Sequence, residues 1–391
     1  MANQRIALIR MWSDPPFVKS TTQLLNEYFP EYEVDIIDIE RLAKRRLDIS
    51  LLNPFFVTKQ YGLDILTKKR KYKNSYIRTA YFFQKVKEII SNQLSKKEYA
   101  FSFQLQSLID ASKPGLPHFV YTDHTHLANL DYPGFDRSQL FSPGWIQLEN
   151  LIYQNATLVF TWSSNISRSL TEQYGCEPSK VICVRIGSNV QKMEHDPDDR
   201  RYAQKNILFV GVDWERKGGP ELVEAFTIVL DTFPDAHMTI VGCSPEVNIP
   251  NCTVIGKVSL NQIGHFYENA AVFCLPTKIE PFGIVFIEAL SYKLPVVATA
   301  IGAIPDFIFD QQNGYLVQPN DIEGLARALI DLIGDPEKCR AFGEYGYRLV
   351  EERYNWSKVG STIREHIQPY LTENGVYTNR VAQTDKLELN E

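Results

Sequence analysis

The sequence predicts an α/β protein of two doubly wound domains, each a parallel sheet with helices on both faces, meeting across a cleft. Three observations predict it. The chain has 391 residues, beyond the roughly 250 to 300 at which a single hydrophobic core stops growing. Short β-branched apolar runs recur along it in two series. Helical periodicity fills most of the gaps, and strand-helix-strand alternation is the pattern of parallel sheets buried on both faces.

The first series reads as strands at 5–10 (RIALIR), 33–38 (EVDIID), 118–123 (HFVYTD), 157–162 (TLVFTW) and 180–186 (KVICVRI). The second reads as strands at 206–212, 237–243, 252–257, 272–277, 295–300 and 314–319. Each run is short, β-branched and bounded by turn residues. Helices are expected at 219–232 and at 322–333, the latter entered through the capping sequence Pro319-Asn320-Asp321. Between the two series, 191–205 (QKMEHDPDDRRYAQK) is polar and without periodicity. It is the expected linker, so 1–190 form the first domain and the second begins at 191.

Composition excludes several classes. A formal charge of −6 with 44% hydrophobic residues describes an ordinary globular chain, neither disordered nor broadly nucleic-acid-binding. The opening MANQRIALIRMW lacks a secretory apolar segment, and no stretch approaches the ~20 apolar residues that span a bilayer. A cytoplasmic location is expected. Cys176, Cys183, Cys243, Cys252, Cys274 and Cys339 show no metal-ligand or redox spacing. They read as free thiols.

In a doubly wound domain, functional residues belong just beyond the carboxyl ends of strands. After NILFVG comes VDWERKGG (212–219), where Gly211 permits a tight exit and Arg216 and Lys217 bring two cations to a helix start at Gly218-Gly219-Pro220. Free N–H groups and the helix dipole draw anions there, and adjacent cations strengthen a preference for phosphate. A solvated basic turn is the alternative reading. After VFCLPT comes KIEPFGIVFIEALSYK (278–293), with Glu280 in the loop and Glu288 inside a helix starting near Gly283. That helix is oily all round and therefore buried, and a buried carboxylate costs several kcal/mol unless it is paired or hydrogen-bonded. Eight helical positions rise ~12 Å. That exceeds the ~5 to 9.5 Å between the two carboxylates of a glycosidase. The two glutamates are therefore expected to hold different parts of one long ligand, with the N–H groups of Gly283, Ile284 and Val285 receiving an anion between them. A nucleoside diphosphate flanked by two polyol rings matches. A glutamate salt-bridged inside the core is the alternative.

Glu280 and Glu288 with seven residues between them, followed by PVVATAIGAIPDFI and QQNGYLVQPND, resemble the E-x7-E block of retaining glycosyltransferases of family 4, which have the GT-B fold. The likeness continues through WSKVGSTIREHIQPYL (356–371), similar to the family's terminal helix that returns to the first domain. This places 357–391 with 1–190 and leaves 191–356 as the donor-binding domain. In the first half it is carried by VYTDHTHLANL (120–130) and by 161–190. The resemblance implies that Glu288 binds the donor ribose, that Glu280 lies by the transferred sugar, and that Phe282 and the Gly283–Val285 turn cradle the diphosphate. It implies that Lys217 neutralises the diphosphate, that Gly211 lies against the donor, and that His124 stands near the sugar. Two departures appear. Val212 stands where the family often has arginine, so Arg216 is expected to supply that charge. The first loop, RMWSDPPFVKS (10–20), lacks the family's glycines, leaving Arg10, Asp14 and Asp123 as acceptor-side candidates. A satisfied loop histidine is the competing reading for His124 and the favoured one for His126, and Asp123-His124-x-His126 is too few ligands for a metal site.

The expected chemistry is transfer of a sugar from a nucleotide sugar to a glycan, lipid or lipid-linked glycan, with retention at the anomeric carbon and without metal or other cofactor. No Asp-x-Asp follows a suitable strand, and Arg216, Lys217 and the helix N-terminus are placed to stabilise the leaving diphosphate themselves. A silent nucleotide-sugar binder, or a phosphorylase or epimerase of the same fold, is the alternative. Finally, residues 1–190 hold 23 Lys and Arg against 18 Asp and Glu, the rest 18 against 29, and 41–97 alone hold 15 against 3. There KKRKYKNSYIR (68–78) precedes AYFFQKVKEII (80–90), an amphipathic helix with Phe82, Phe83, Val86, Ile89 and Ile90 on one side. A basic, aromatic-rich segment of this kind reads as a peripheral contact with an anionic membrane surface. Packing of the same stripe on the first domain reads equally well. Nothing accompanies the segment that would read nucleic acid.

Overall fold

The computed structural model describes residues 4–12, 16–190 and 197–371. In chain order the first half holds β1 (Arg5–Arg10), α1 (Pro16–Tyr28), β2 (Glu33–Asp38), α2 (Ile39–Lys44), α3 (Leu47–Leu66), α4 (Tyr72–Tyr76) and α5 (Ala80–Leu94). It continues with β3 (Phe101–Leu105), β4 (His118–Thr122), α6 (Pro143–Asn155), β5 (Leu158–Thr161), α7 (Ser164–Glu172) and β6 (Val181–Cys183). The second half begins with β7 (Asn206–Val210), α8 (Gly219–Thr232), β8 (His237–Val241), β9 (Cys252–Gly256), α9 (Leu260–Glu268) and β10 (Val272–Leu275). It ends with α10 (Ile284–Ser291), β11 (Val296–Thr299), β12 (Gly314–Val317), α11 (Ile322–Ile333), α12 (Pro336–Arg353) and α13 (Trp356–Ile367).

The strands form two six-stranded sheets, ordered β2-β1-β3-β4-β5-β6 and β12-β11-β10-β7-β8-β9. Every pairing within them is parallel. The chain runs outward from β7 to β9, then returns to place β10 on the other side of β7. This reversal is a topological switch point, and it sets the loops after β7 and β10 side by side at the carboxyl edge. Lys217 and Glu280 lie in those two loops.

The structure corrects the sequence reading in two places and decides between two readings in a third. β3 (FSFQL) was not expected, because Ser102 and Gln104 interrupt its apolar run. Both are fully buried and satisfied: Ser102 Oγ lies 2.8 Å from His118 Nδ1, and Gln104 donates to the Ile109 carbonyl at 2.8 Å. The expected linker is not uniformly polar loop. Residues 199–204 form a 3-10 helix in which Arg201 and Tyr202 are buried, Arg201 donating to the Tyr292 carbonyl at 2.7 Å. The apolar stripe of α5 faces inward, with Phe82, Phe83, Val86, Ile89 and Ile90 all buried in the first core. It is closed to any membrane.

Helix α13 packs on α1 in the first half. Tyr28 donates to Ser357 at 2.9 Å, Arg364 pairs with Glu31, and Gly360 lets the Tyr28 ring approach so closely that a Cβ there would lie 2.3 Å from it. No helix among the described residues is long and apolar enough to cross a membrane.

Candidate active site

Two cavities open between the halves. The larger, of 490 Å³, is lined from the second half by Gly211, Arg216, Lys217, Ile284, Val285 and Glu288 among others, and from the first by Phe17 and Trp162. The smaller, of 220 Å³, lies on the first half, where Trp12, Arg78, Asp123, His124 and Glu149 meet Pro281 from across the cleft.

Helix α10 positions the larger cavity's anion-receptive end. Gly283 caps it with φ +87°, left-handed backbone that a side chain adopts at a cost. A Cβ there would also sit 2.5 Å from the Phe286 ring. The first N–H groups of α10 have no partner inside the helix and, at Ile284 and Val285, border the cavity. One turn further, Glu288 is 3% exposed and accepts from the Tyr267 hydroxyl at 3.1 Å. Burial raises its carboxyl to about 7 even though the Tyr267 hydrogen bond pulls the other way.

The loop after β7 turns at Gly218, φ +76°, where a Cβ would meet the Pro276 carbonyl at 1.9 Å. Glycine there lets the two loops touch. Lys217 consequently forms a buried ion pair with Glu280. Arg216 is held by the Ile279 carbonyl at 2.6 Å and lies 3.4 Å from Asp213. Glu280 marks the junction of the two cavities: its partner Lys217 lines the larger, the next residue lines the smaller, and its charge contributes to the raised carboxyl of Asp123. Asp123 is lifted to about 6, mainly by burial.

In the smaller cavity His124 receives Asn129 Nδ2 at 3.1 Å on Nε2, while its buried Nδ1 has no partner. Burial, then the Arg78 charge, lowers the ring to about 4, so His124 is neutral near pH 7. His126 is occupied structurally: its Nε2 accepts from the Phe141 N–H at 2.8 Å and its backbone N–H donates to Glu149 at 2.9 Å. Among the described residues no three His, Cys, Asp or Glu side chains group to hold a metal ion.

Two expected site residues are placed elsewhere. Phe282 lines neither cavity; it is 3% exposed and packs edge-on against Trp162 at 5.8 Å and beside Phe307 at 5.4 Å, wedged between the halves. An aromatic ring beside a glycine turn satisfies a core as readily as a ligand, and here the core takes it. Arg10 also lines neither cavity, lying 3.6 Å from Asp38 at the end of β1. Asp14 lies outside the described residues. Conversely, sequence reading missed Trp12, Arg78 and Glu149 in the smaller cavity, and Gly242, Lys257 and Trp162 in the larger. Gly242 carried a usable signal. It follows β8 beside Gly211, with φ +98°, and a Cβ there would clash with the Gly211 carbonyl at 2.7 Å.

The two sheets, the cleft between them and the paired loops at the switch point define the GT-B class, and comparisons with known proteins agree. Residues 191–349 match the family model of glycosyl transferases group 1. A sulfoquinovosyl transferase of Arabidopsis thaliana is 26% identical over 66% of this chain and 55% of its own length. The chain spans about half the length of the first curated relatives it matches. Among solved structures, sucrose-phosphate synthase from Thermosynechococcus elongatus superposes with a TM-score of 0.66 at 16% identity, covering 94% of this chain and 98% of that one. An Anabaena protein in complex with UDP and glucose superposes with a TM-score of 0.62 at 14% identity, covering 93% and 99%.

Proposed function

We propose that the protein is a retaining glycosyltransferase of family 4 that transfers a sugar from a nucleoside-diphosphate sugar to a glycan, lipid or lipid-linked glycan, without a metal ion. The observation that carries this is the gathering of Glu288, Lys217, Arg216 and the α10 N-terminus on one cavity, with Glu280 at its junction with a second. A donor laid along the larger cavity meets complementary chemistry in sequence. Its ribose hydroxyls reach Glu288, its diphosphate reaches the N–H groups of Gly283 to Val285 and the two cations, and its sugar reaches Glu280 and His124. That the Anabaena neighbour holds UDP and glucose supports a nucleotide-sugar ligand on this fold.

In this reading the bond between the anomeric carbon and the diphosphate oxygen breaks, and an acceptor hydroxyl bonds to the same face. The hydroxyl's proton passes to a departing phosphate oxygen. Charge growing on the diphosphate is met by Lys217, Arg216 and the α10 dipole, which are already in place before reaction. Donor arrival also changes Lys217's partner set: the ammonium lies between Glu280 and the diphosphate, linking the sugar and phosphate ends of the site.

Calorimetry with nucleotides tests the assignment. Lys217→Ala is expected to weaken nucleoside diphosphate binding by at least about tenfold while changing nucleoside monophosphate binding much less. Equal losses for both would remove Lys217 from the diphosphate, and abolition of wild-type turnover by EDTA with rescue by Mg²⁺ or Mn²⁺ would overturn the metal-free mechanism.

A further inference from the structure

We infer that the outer face of α3 is a membrane-binding surface that enters the interfacial layer of an anionic lipid bilayer. The inference rests on the acceptor half of the proposed function, whose lipid source it specifies. Helix α3 is apolar on two opposite faces. Ile49, Asn53, Val57 and Tyr61 are buried against the first domain. Leu47, Leu51, Leu52, Phe55, Leu63 and Leu66 are 50% to 82% exposed. At 100° per residue these six fill an arc of about 160° centred opposite the buried four, along a helix ~30 Å long. Half of the twelve exposed large hydrophobic side chains among the described residues lie on this one helix. Scattered exposed leucines are ordinary, but six large apolar side chains on one helical face, interrupted by the exposed Thr58 and Lys59, mark a contact surface.

Charge decides what covers it. Beyond the C-terminal end of α3, Lys68, Lys69, Lys71 and Lys73 are all exposed, and among them Lys69 exerts a charge influence on the exposed carboxylate of Asp136. Arg41 and Arg45 stand exposed near its other end. An apolar helical face with cations at both ends suits a helix lying flat at a bilayer surface, its leucines among acyl chains and its lysines at anionic head groups. A second copy of this chain fits poorly, since pairing the strips would bring like charges together. The strip is also near the smaller cavity. Tyr61, on the buried side of α3, donates to the Arg78 carbonyl at 2.8 Å, and Arg78 lines that cavity. An acceptor anchored in the membrane therefore arrives at the side of the molecule where His124 and Asp123 stand.

Co-sedimentation of the full chain with phosphatidylcholine vesicles, with and without phosphatidylglycerol, tests this without any donor present. Wild type is expected to sediment only with the anionic vesicles, and less as salt is added. The triple variant Leu51→Gln, Phe55→Gln, Leu66→Gln should bind them at least about tenfold more weakly. Glutamine at Lys68, Lys69, Lys71 and Lys73 should cost at least about a hundredfold at low salt. All seven side chains are exposed, so both variants should keep the wild-type melting temperature. The inference is overturned if the triple variant sediments like wild type, if wild type stays in the supernatant with anionic vesicles, or if light scattering shows a wild-type dimer that the triple variant makes monomeric. Donor binding and hydrolysis without vesicles, expected to be unchanged in both variants, read the proposed sugar transfer separately.

Discussion

Glu288 is the residue in which stability and function oppose each other. A carboxyl raised by burial from 4.5 to about 7 binds its proton more tightly in the folded chain than in the unfolded one. Its favourable contribution to stability is therefore complete below about pH 4.5 and is lost as pH rises toward 7. Replacing it by glutamine should stabilise the protein at pH 8 by up to about 3 kcal/mol and flatten the stability profile between pH 5 and 8. The same substitution should reduce donor affinity, because an ionised carboxylate accepts ribose hydroxyls more strongly than an amide. Wild-type donor affinity is accordingly expected to rise with pH up to about 7 and level off beyond it. Melting curves and calorimetry across this range check both halves. A variant that loses stability at pH 8, or binds donor as wild type does, would show that Glu288 is a core residue only.

At the scale of elements, the site depends on the first turn of α10 being held where the loop after β10 delivers it. Gly283→Ala places a methyl against the Phe286 ring in left-handed backbone. It should cost about 1 to 3 kcal/mol of stability and weaken nucleoside diphosphate binding, because the N–H groups it leads are displaced. Unchanged diphosphate affinity in a folded Gly283→Ala protein would separate the anion from this helix end. Elements also show where a sequence is and is not legible. The strands of both sheets announced themselves wherever both faces were apolar, as in NILFV and VFCL. β3 hid because its polar Ser102 and Gln104 break the apolar run, and Ser102 finds its partner His118 on the neighbouring strand, 16 residues away. α5 and α3 were hard to read for opposite reasons. α5's one-sided stripe read equally as a surface device and as core, and it is core. α3 is apolar on both faces, which blurs its periodicity and conceals the side that is exposed. The Lys217–Glu280 pair was illegible for a simpler reason: the residues are 63 apart in sequence and meet only because the sheet order reverses between β7 and β10.

Across the whole molecule, the halves are joined by few but specific contacts. Trp162 meets Phe282, the Ser164 N–H donates to Asp306 at 2.6 Å, and Trp356 Nε1 donates to the Ser188 carbonyl at 2.9 Å. With α13 docked on α1, these ties set the cleft width and bring Glu280 from one half toward His124 and Asp123 of the other. In the proposed function, such a cleft serves to exclude water from the donor and to admit the acceptor from the first half's side. There it transfers sugar from a nucleotide donor with retention. That reading is tested most directly by incubating the full chain with a panel of α-linked nucleoside-diphosphate sugars and candidate acceptors in EDTA, following the anomeric proton by NMR. Turnover of at least one donor, release of nucleoside diphosphate and an α-linked product are expected, with loss of all three in Glu288→Ala. A β-linked product, or release of sugar phosphate in place of nucleoside diphosphate, would contradict the proposed function.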